Sequence, residues 1–119
     1  MALSTGGNTS FDAERAQALA GVFAALGDPT RTTLVSQLVA EGRGTATSLT
    51  AVTDISRQAV DRHLRVLADA DLIESHREGR EVVYALKPQT LTRSAEWLER
   101  LGRSWESKLL AIKAMAEEG

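Results

Sequence analysis

Hydrophobic residues recur at steps of three and four along much of the chain, which is the spacing of helices with one buried face. A first helix is predicted from Phe11, and Gly27 ends it. A second begins at Asp28-Pro29, because aspartate suits the N-cap and proline the first helical position, and it ends at Gly42. The apolar stripes comprise Leu19, Val22, Phe23 and Leu26 in the first helix and Leu34, Val35, Leu38 and Val39 in the second. Residues 1–10 are small and polar and predict a flexible N-terminal arm.

A helix-turn-helix is predicted in the middle of the chain. Residues 45–52 form a short third helix, and a tight turn over 53–55 separates it from a fourth. Ser56 is a suitable N-cap for that fourth helix, which runs to about Ala70. In this motif the second helix enters the major groove of DNA.

A β-hairpin and a long final helix complete the predicted fold. Strand-like segments 72–77 and 81–86 flank Glu78-Gly79-Arg80, and the chain is helical from about Thr90. The fold class is therefore mainly α with a small β-hairpin, in the order α-α-α-α-β-β-α. This order predicts a single winged helix-turn-helix domain over residues 11–119.

The fourth helix separates apolar from polar side chains. Val60, Leu64 and Leu67 are expected to pack inward, with Ala59 and His63 beside them. Arginine reads guanine and glutamine reads adenine through paired hydrogen bonds in the major groove. The candidate DNA-binding residues are Ser56, Arg57, Gln58, Asp61, Arg62 and Arg65 on this helix, and Arg77 and Arg80 at the hairpin tip. A solvated, mixed-charge surface is the alternative interpretation.

Composition narrows the function classes. The 119 residues suit one domain, and the absence of cysteine excludes disulfides, thiolate metal sites and a cysteine nucleophile. Neither a glycine-rich phosphate loop nor a dense His/carboxylate cluster is present, so neither an enzyme nor a cofactor is expected. The net charge of −2 is unusual for a nucleic-acid binder, so binding would depend on local arginine clusters. No membrane-spanning run or signal peptide is recognised, which predicts a cytoplasmic protein without a membrane partner.

Two segments, FAALGDPTRTTLVSQL (23–38) and ISRQAVDRHLRVLADADLIESHREGREVVYAL (55–86), resemble the ArsR/SmtB family of bacterial winged-helix repressors. The similarity lies in Asp-Pro-Thr-Arg at 28–31, the Ser-x-x-x-Val-x-x-His-Leu-x-x-Leu run at 56–67 and the Glu-Gly-Arg hairpin, and it extends over about residues 11–115. The resemblance implies a homodimer that binds a palindromic double-stranded DNA operator and represses transcription. Members of the family often release the DNA when an effector binds; for this chain, an unknown small-molecule effector and the absence of any effector both stay open.

The metal sensors of that family carry paired cysteines before the recognition helix, or Asp and His ligands on the last helix. Here residues 46–53 contain no thiol, and the last helix contains no histidine. Of the two histidines, His63 is expected to be packed and hydrogen-bonded and His76 to lie on the strand surface. No metal site is therefore predicted. Two alternatives stay open, namely a metal-responsive repressor with an unrecognised site and a winged-helix protein-interaction module that does not bind DNA.

The last helix has an apolar stripe longer than a small core needs, and both tryptophans lie on that helix. The family resemblance favours a two-fold dimer through this helix and the first one. The predicted interface comprises Leu19, Phe23, Trp97, Leu98, Leu101, Trp105, Leu109 and Ile112. An ordinary intramolecular core is the alternative.

Overall fold

The computed structural model describes the backbone of residues 2–118 and the side chains of residues 13–118. Its elements are α1 (Ala2–Leu26), α2 (Pro29–Glu41), β1 (Gly44–Thr45), α3 (Ala46–Thr50), α4 (Arg57–Asp69), β2 (Ile73–Glu78), β3 (Glu81–Leu86) and α5 (Pro88–Glu118). The predicted fold class is confirmed, since the chain is mainly helical and has a small antiparallel sheet. The element order differs from the predicted one by the short strand β1.

The two ends of the chain need separate description. Helix α1 begins at Ala2, whereas the sequence predicts a helix from Phe11. The side chains of residues 1–12 lie outside the described residues, so the flexible arm predicted over 1–10 stays a prediction. By compactness the chain divides into a unit of residues 1–88 and a second unit of residues 89–119. The predicted boundaries of a single domain over 11–119 also stay a prediction.

Local signals set the start and end of α2. The carboxylate of Asp28 accepts a hydrogen bond from the backbone N–H of Arg31 at 3.1 Å, and Pro29 occupies the first turn. Gly42 adopts the left-handed conformation at φ 83° and donates its N–H to the Leu38 carbonyl. Both predicted ends are confirmed, but the burial of Val39 is not, because its side chain is 64% exposed. Val39 lies about 140° around the helix from Leu34, outside the buried face.

Strand β1 explains why the third helix begins one residue later than predicted; the helix also ends earlier, at Thr50. Gly44 pairs with Tyr84 and Thr45 with Val83, so β1 adds an outer strand and the sheet order is β1-β3-β2. Thr45 then caps α3, because its hydroxyl accepts from the backbone N–H of Ser48 while the Ser48 hydroxyl accepts from that of Thr45. A Cβ at position 44 would lie 3.2 Å from side-chain atoms of Leu38 and Leu49, so this strand passes close to the core.

The core of the first unit comes from the four helices α1 to α4, the sheet and the turn before β2. Its fully buried large side chains are Leu34, Leu38, Leu49, Val60, Leu64, Leu67, Leu72 and Val83. Three of them lie on α4, and this burial fixes which face of α4 points away from the core.

Replacing Ser56 with alanine is expected to lower the free energy of unfolding by about 1 kcal/mol. The Ser56 hydroxyl accepts the backbone N–H of Ala59 at 3.1 Å, and alanine would leave that donor without its partner. Urea denaturation followed by circular dichroism measures the change. Ser56→Asp keeps an acceptor and should retain the stability, whereas an equal loss in both variants would contradict the capping role.

Candidate nucleic-acid interface

The recognition helix α4 buries the predicted face. Val60, Leu64 and Leu67 are at most 1% exposed. Ala59 and His63 are half-buried beside them, as expected. Every predicted polar candidate of this helix is exposed, namely Ser56, Arg57, Gln58, Asp61, Arg62 and Arg65. Ser56 is already bonded through its hydroxyl to the first turn of the helix, so a contact of this residue with DNA stays a prediction.

The exposed residues of α4 divide into two sets by their angle around the helix. At about 100° per residue, Gln58 and Arg62 are the predicted candidates that lie farthest from the direction of the buried Val60, Leu64 and Leu67 stripe. Arg57, Asp61 and Arg65 lie to one side, nearer to Leu64. Gln58 and Arg62 are therefore the side chains best placed to extend straight away from the protein.

The side set of α4 faces the hairpin across a groove of about 680 Å³. The groove brings Arg57, Asp61 and Arg65 of α4 together with Arg80 of the hairpin. Helix α4 and the hairpin tip are separate elements in the sequence, and both were predicted to contact DNA. Tyr84, Val82 and Ser75 of the sheet also line it, and Ala46 and Thr47 of α3 lie at one end. Gln58, Arg62 and Arg77 are not part of its lining.

Thr47 of α3 is a functional candidate that the sequence did not reveal. Its hydroxyl accepts a hydrogen bond from Nη1 of Arg57 at 3.3 Å. The bond joins the two helices of the helix-turn-helix and restricts the Arg57 guanidinium. A threonine ten residues upstream has no pattern in the sequence that would connect it to this arginine.

The hairpin of β2 and β3 is the wing, and its strand register determines on which face each charged side chain lies. Arg77 pairs with Val82, and Glu78 pairs with Glu81. The turn therefore consists of Gly79 and Arg80 alone, one residue shorter than the predicted connection, and Gly79 supplies the positive φ of 62°. Because side chains alternate along a strand, Arg77 points to the opposite face from Glu78 and Glu81. Arg77 thus lies on a different face of the wing from these two carboxylates, whereas Glu81 lines the groove together with Arg80.

Arg43, in the loop before β1, is the second residue that the sequence analysis missed. Its guanidinium forms an ion pair with Glu78, whose other carboxylate oxygen lies 2.7 Å from Nε2 of His76. The hydrogen bonds from Arg43 and then from His76 lower the pKa of Glu78 from 4.5 to about 2. The ion pair also raises the pKa of Arg43. The wing carboxylate is therefore ionised and paired at neutral pH.

In a titration followed by carboxyl-carbon NMR, Glu78 is expected to protonate with a midpoint of about 2. The folded-state pKa is depressed, so the stabilisation by the ion pair is present above the ordinary value of 4.5 and is lost as the pH falls through about 2. Arg43→Met should move the midpoint back toward 4.5, because the largest cause of the shift is removed. An unchanged midpoint in that variant would contradict the pairing.

The residues predicted for the dimer interface differ in exposure within the chain. Phe23 of α1 is 40% exposed, whereas Leu19 is only 8% exposed and so is already covered in the single chain. A dimer contact through Leu19 therefore stays a prediction, and the single chain already covers most of this side chain. Trp97 is half-buried. The other predicted residues of α5 are exposed, namely Leu98, Leu101, Trp105, Leu109 and Ile112, and the exposed fraction of Trp105 is 60%.

The histidines lie as expected. His63 is half-buried on α4 and hydrogen-bonded, and His76 is exposed on β2. Among residues 13–118, no three His, Cys, Asp or Glu side chains are grouped closely enough to hold a metal ion.

The same described part of the chain has no helix with the length and apolar character to span a membrane.

The described geometry defines a winged helix-turn-helix protein, and comparison with known proteins agrees. A family model described as a helix-turn-helix domain matches residues 26–76. The transcriptional repressor SdpR of Bacillus subtilis is 34% identical over 77 residues, which cover 65% of this chain and 84% of that protein. An ArsR-like transcriptional regulator from Rhodococcus sp. RHA1 is 39% identical, with a TM-score of 0.80 over 87% of this chain and 96% of that one. The chain therefore belongs to the ArsR family of winged helix-turn-helix transcriptional regulators.

A more distant structure adds to the comparison of folds. The winged helix-turn-helix DNA-binding domain of a protein from Mycobacterium bovis, described as homodimeric, is 21% identical. Its TM-score is 0.62 over 76% of this chain and 83% of that one. At this identity the likeness concerns the fold alone.

Proposed function

We propose that this protein is a homodimeric, sequence-specific transcriptional repressor that binds a palindromic double-stranded DNA operator in the cytoplasm. The observation that carries the proposal is the exposed Arg/Gln face of α4 beside a wing that bears Arg77 and Arg80. Gln58 and Arg62 would read base edges in the major groove. Arg77 and Arg80 would contact the phosphate backbone or the minor groove. The repressor activity of SdpR supports the direction of regulation.

Charge separation makes this function compatible with the net charge of −2. On the wing, Glu78 is paired with Arg43 and His76 and points away from the face of Arg77. On α4, Asp61 lies in the groove between Arg57 and Arg65. These two carboxylates are thus accompanied by cations, so a DNA phosphate would meet a local field more positive than the net charge suggests.

Self-association is proposed through the apolar stripe of α5, with Phe23 of α1 as a further contact. Five large apolar residues of the predicted stripe are exposed, and a run of this kind is typical of a partner surface. A two-fold dimer presents its recognition helices about 34 Å apart, the length of one turn of DNA, and so fits a palindromic site. The Mycobacterium bovis domain, which shares this fold, is described as homodimeric.

A fluorescence-anisotropy titration tests the proposed function. The DNA upstream of the gene and a random duplex of equal length are titrated at low and at near-physiological salt, and light scattering gives the oligomeric state. A preference for the upstream DNA that survives the higher salt supports specific recognition. A folded dimer that binds neither duplex would instead favour the protein-interaction module. The same assay, repeated with candidate small molecules, screens for an effector that releases the DNA.

A further inference from the structure

One guanidinium joins three helices of the first unit. Arg31, in the first turn of α2, donates from Nε to the Ala25 carbonyl at 2.5 Å and from Nη2 to the Ala24 carbonyl at 3.3 Å. Its Nη1 lies 3.1 Å from Nδ1 of His63, in the middle of α4. The carbonyls belong to the last turn of α1, where a cation is favoured. Arg31 therefore connects the end of α1 to the recognition helix.

The contact between Arg31 and His63 fits only one form of the imidazole. A guanidinium has donors and no acceptor, so Nδ1 of His63 must accept this hydrogen bond. The contact therefore fits an imidazole that carries its proton on Nε2 and leaves Nδ1 free to accept. A second proton would place an N–H on Nδ1, which cannot accept from Arg31 and would bring two cations together.

A carboxylate stands beside the same ring nitrogen. Oδ2 of Asp28 lies 4.0 Å from Nδ1 of His63. The backbone hydrogen bond from Arg31 is the largest cause that lowers the pKa of Asp28, so this carboxyl is ionised at neutral pH. Within the described residues, the charged groups beside His63 are thus Arg31 and Asp28, both at the start of α2. The end of α1 contributes only backbone carbonyls, which accept from Arg31. Protonation would shift the preferred partner of His63 from Arg31 to Asp28.

Building on the function proposed above, we propose that Arg31 and His63 are positioning residues that orient the recognition helix for specific DNA, and that they do so only while His63 is neutral. His63 directly follows Arg62 in α4, on the side of the helix that faces the end of α1 and the start of α2. Its bond to Arg31 is directional, unlike the apolar contacts of Leu64 and Leu67. A change of partner therefore tilts or slides α4, and Gln58 and Arg62 move with it.

The experiment compares three variants with the wild-type full-length protein. His63→Asn retains an acceptor oxygen near the position of Nδ1 but does not titrate, and His63→Leu removes the acceptor. His76→Asn is the matched control, because it removes the other histidine of the chain. Affinity for the operator and for a random duplex is measured from about pH 7.5 to about pH 5.5, the range in which histidines commonly change charge. Glu78, with a pKa of about 2, keeps its charge over this range.

For the wild type and His76→Asn, the ratio of operator to random affinity is expected to fall about tenfold across this range, which is about 1.4 kcal/mol. For His63→Asn the ratio should stay constant, and for His63→Leu it should already be low at the upper pH. A role in stability alone would lower the resistance of the variants to urea but leave the ratio independent of pH. A wild-type ratio that does not change, or one that changes equally in His63→Asn, overturns the proposal.

A second measurement does not depend on DNA. Long-range proton–nitrogen NMR spectra of the wild type should show the Nε2-protonated tautomer of His63 at about pH 7.5. Backbone amide signals of α4 should shift with pH in the wild type and not in His63→Asn. The opposite tautomer, or α4 signals that ignore the protonation of His63, overturns the proposal. If the folded wild type binds no DNA, the proposed function fails instead, and these spectra still decide whether His63 positions the helix.

Discussion

Replacing Arg62 with alanine is expected to lower operator affinity by about 1–3 kcal/mol, which corresponds to a factor of about 5 to 150. Arg62 is exposed and lies far from the buried stripe of α4, so its guanidinium can reach the edge of a guanine. Binding to random DNA should fall much less, because the lost contact is to a base. Anisotropy titrations against both duplexes at fixed salt measure the two affinities.

Two further variants separate base reading from simple charge. Arg100→Ala removes the same charge from α5 and should leave both affinities nearly unchanged. Arg77→Ala should weaken operator and random DNA alike and reduce the salt dependence by about one counterion, as expected for a phosphate contact. If Arg62→Ala instead weakens both duplexes equally, Arg62 contacts the backbone and the proposed reading of bases by this residue is wrong.

Replacing Trp105 with glutamate is expected to give a folded monomer that binds the operator about 100-fold more weakly or worse. Trp105 is 60% exposed in the single chain, so the substitution leaves the core of the first unit intact. In a dimer the carboxylate would lie within an apolar interface, where it would lack a partner and lose its hydration. Light scattering measures the oligomeric state, and anisotropy measures the loss of simultaneous binding to two half-sites.

Ser107→Glu is the matched control for this variant. It adds the same charge to the same helix, about 200° away from Trp105 and therefore on the opposite side. This variant should remain dimeric and bind the operator normally. A Trp105→Glu protein that stays dimeric, or a Ser107→Glu protein that dissociates, would show that the interface lies elsewhere. Circular dichroism confirms that both variants retain their helices.

Much of the fold could be predicted because its signals are local. Asp28 and Ser56 each bond a backbone N–H three residues ahead, so their role as helix caps is set within one turn. The burial of Val60, Leu64 and Leu67 follows in the same way from the helical period. The predicted burial of Val39 is wrong. The helical period places Val39 at the edge of the apolar stripe of α2, and the width of the buried face depends on the elements that pack against it.

Other features have no local signal. Strand β1 has two residues, too few for any periodicity, and exists because Gly44 and Thr45 pair with β3 about forty residues later. The pairing of Arg43 with Glu78 likewise depends on bringing the α2–β1 loop beside the wing. No pattern in the sequence could reveal that Arg57 bonds Thr47.

The sequence by itself determined the helices and the hairpin, the recognition face of α4 and the resemblance to the ArsR family, since each depends on residues close together in the chain. The tertiary structure decided the division of α4 between a groove and an outer face, the placement of carboxylates away from Arg77, and the contact of Arg31 with His63. These are distances between side chains far apart in sequence. They are fixed only when the core closes and sets the position of each helix and strand.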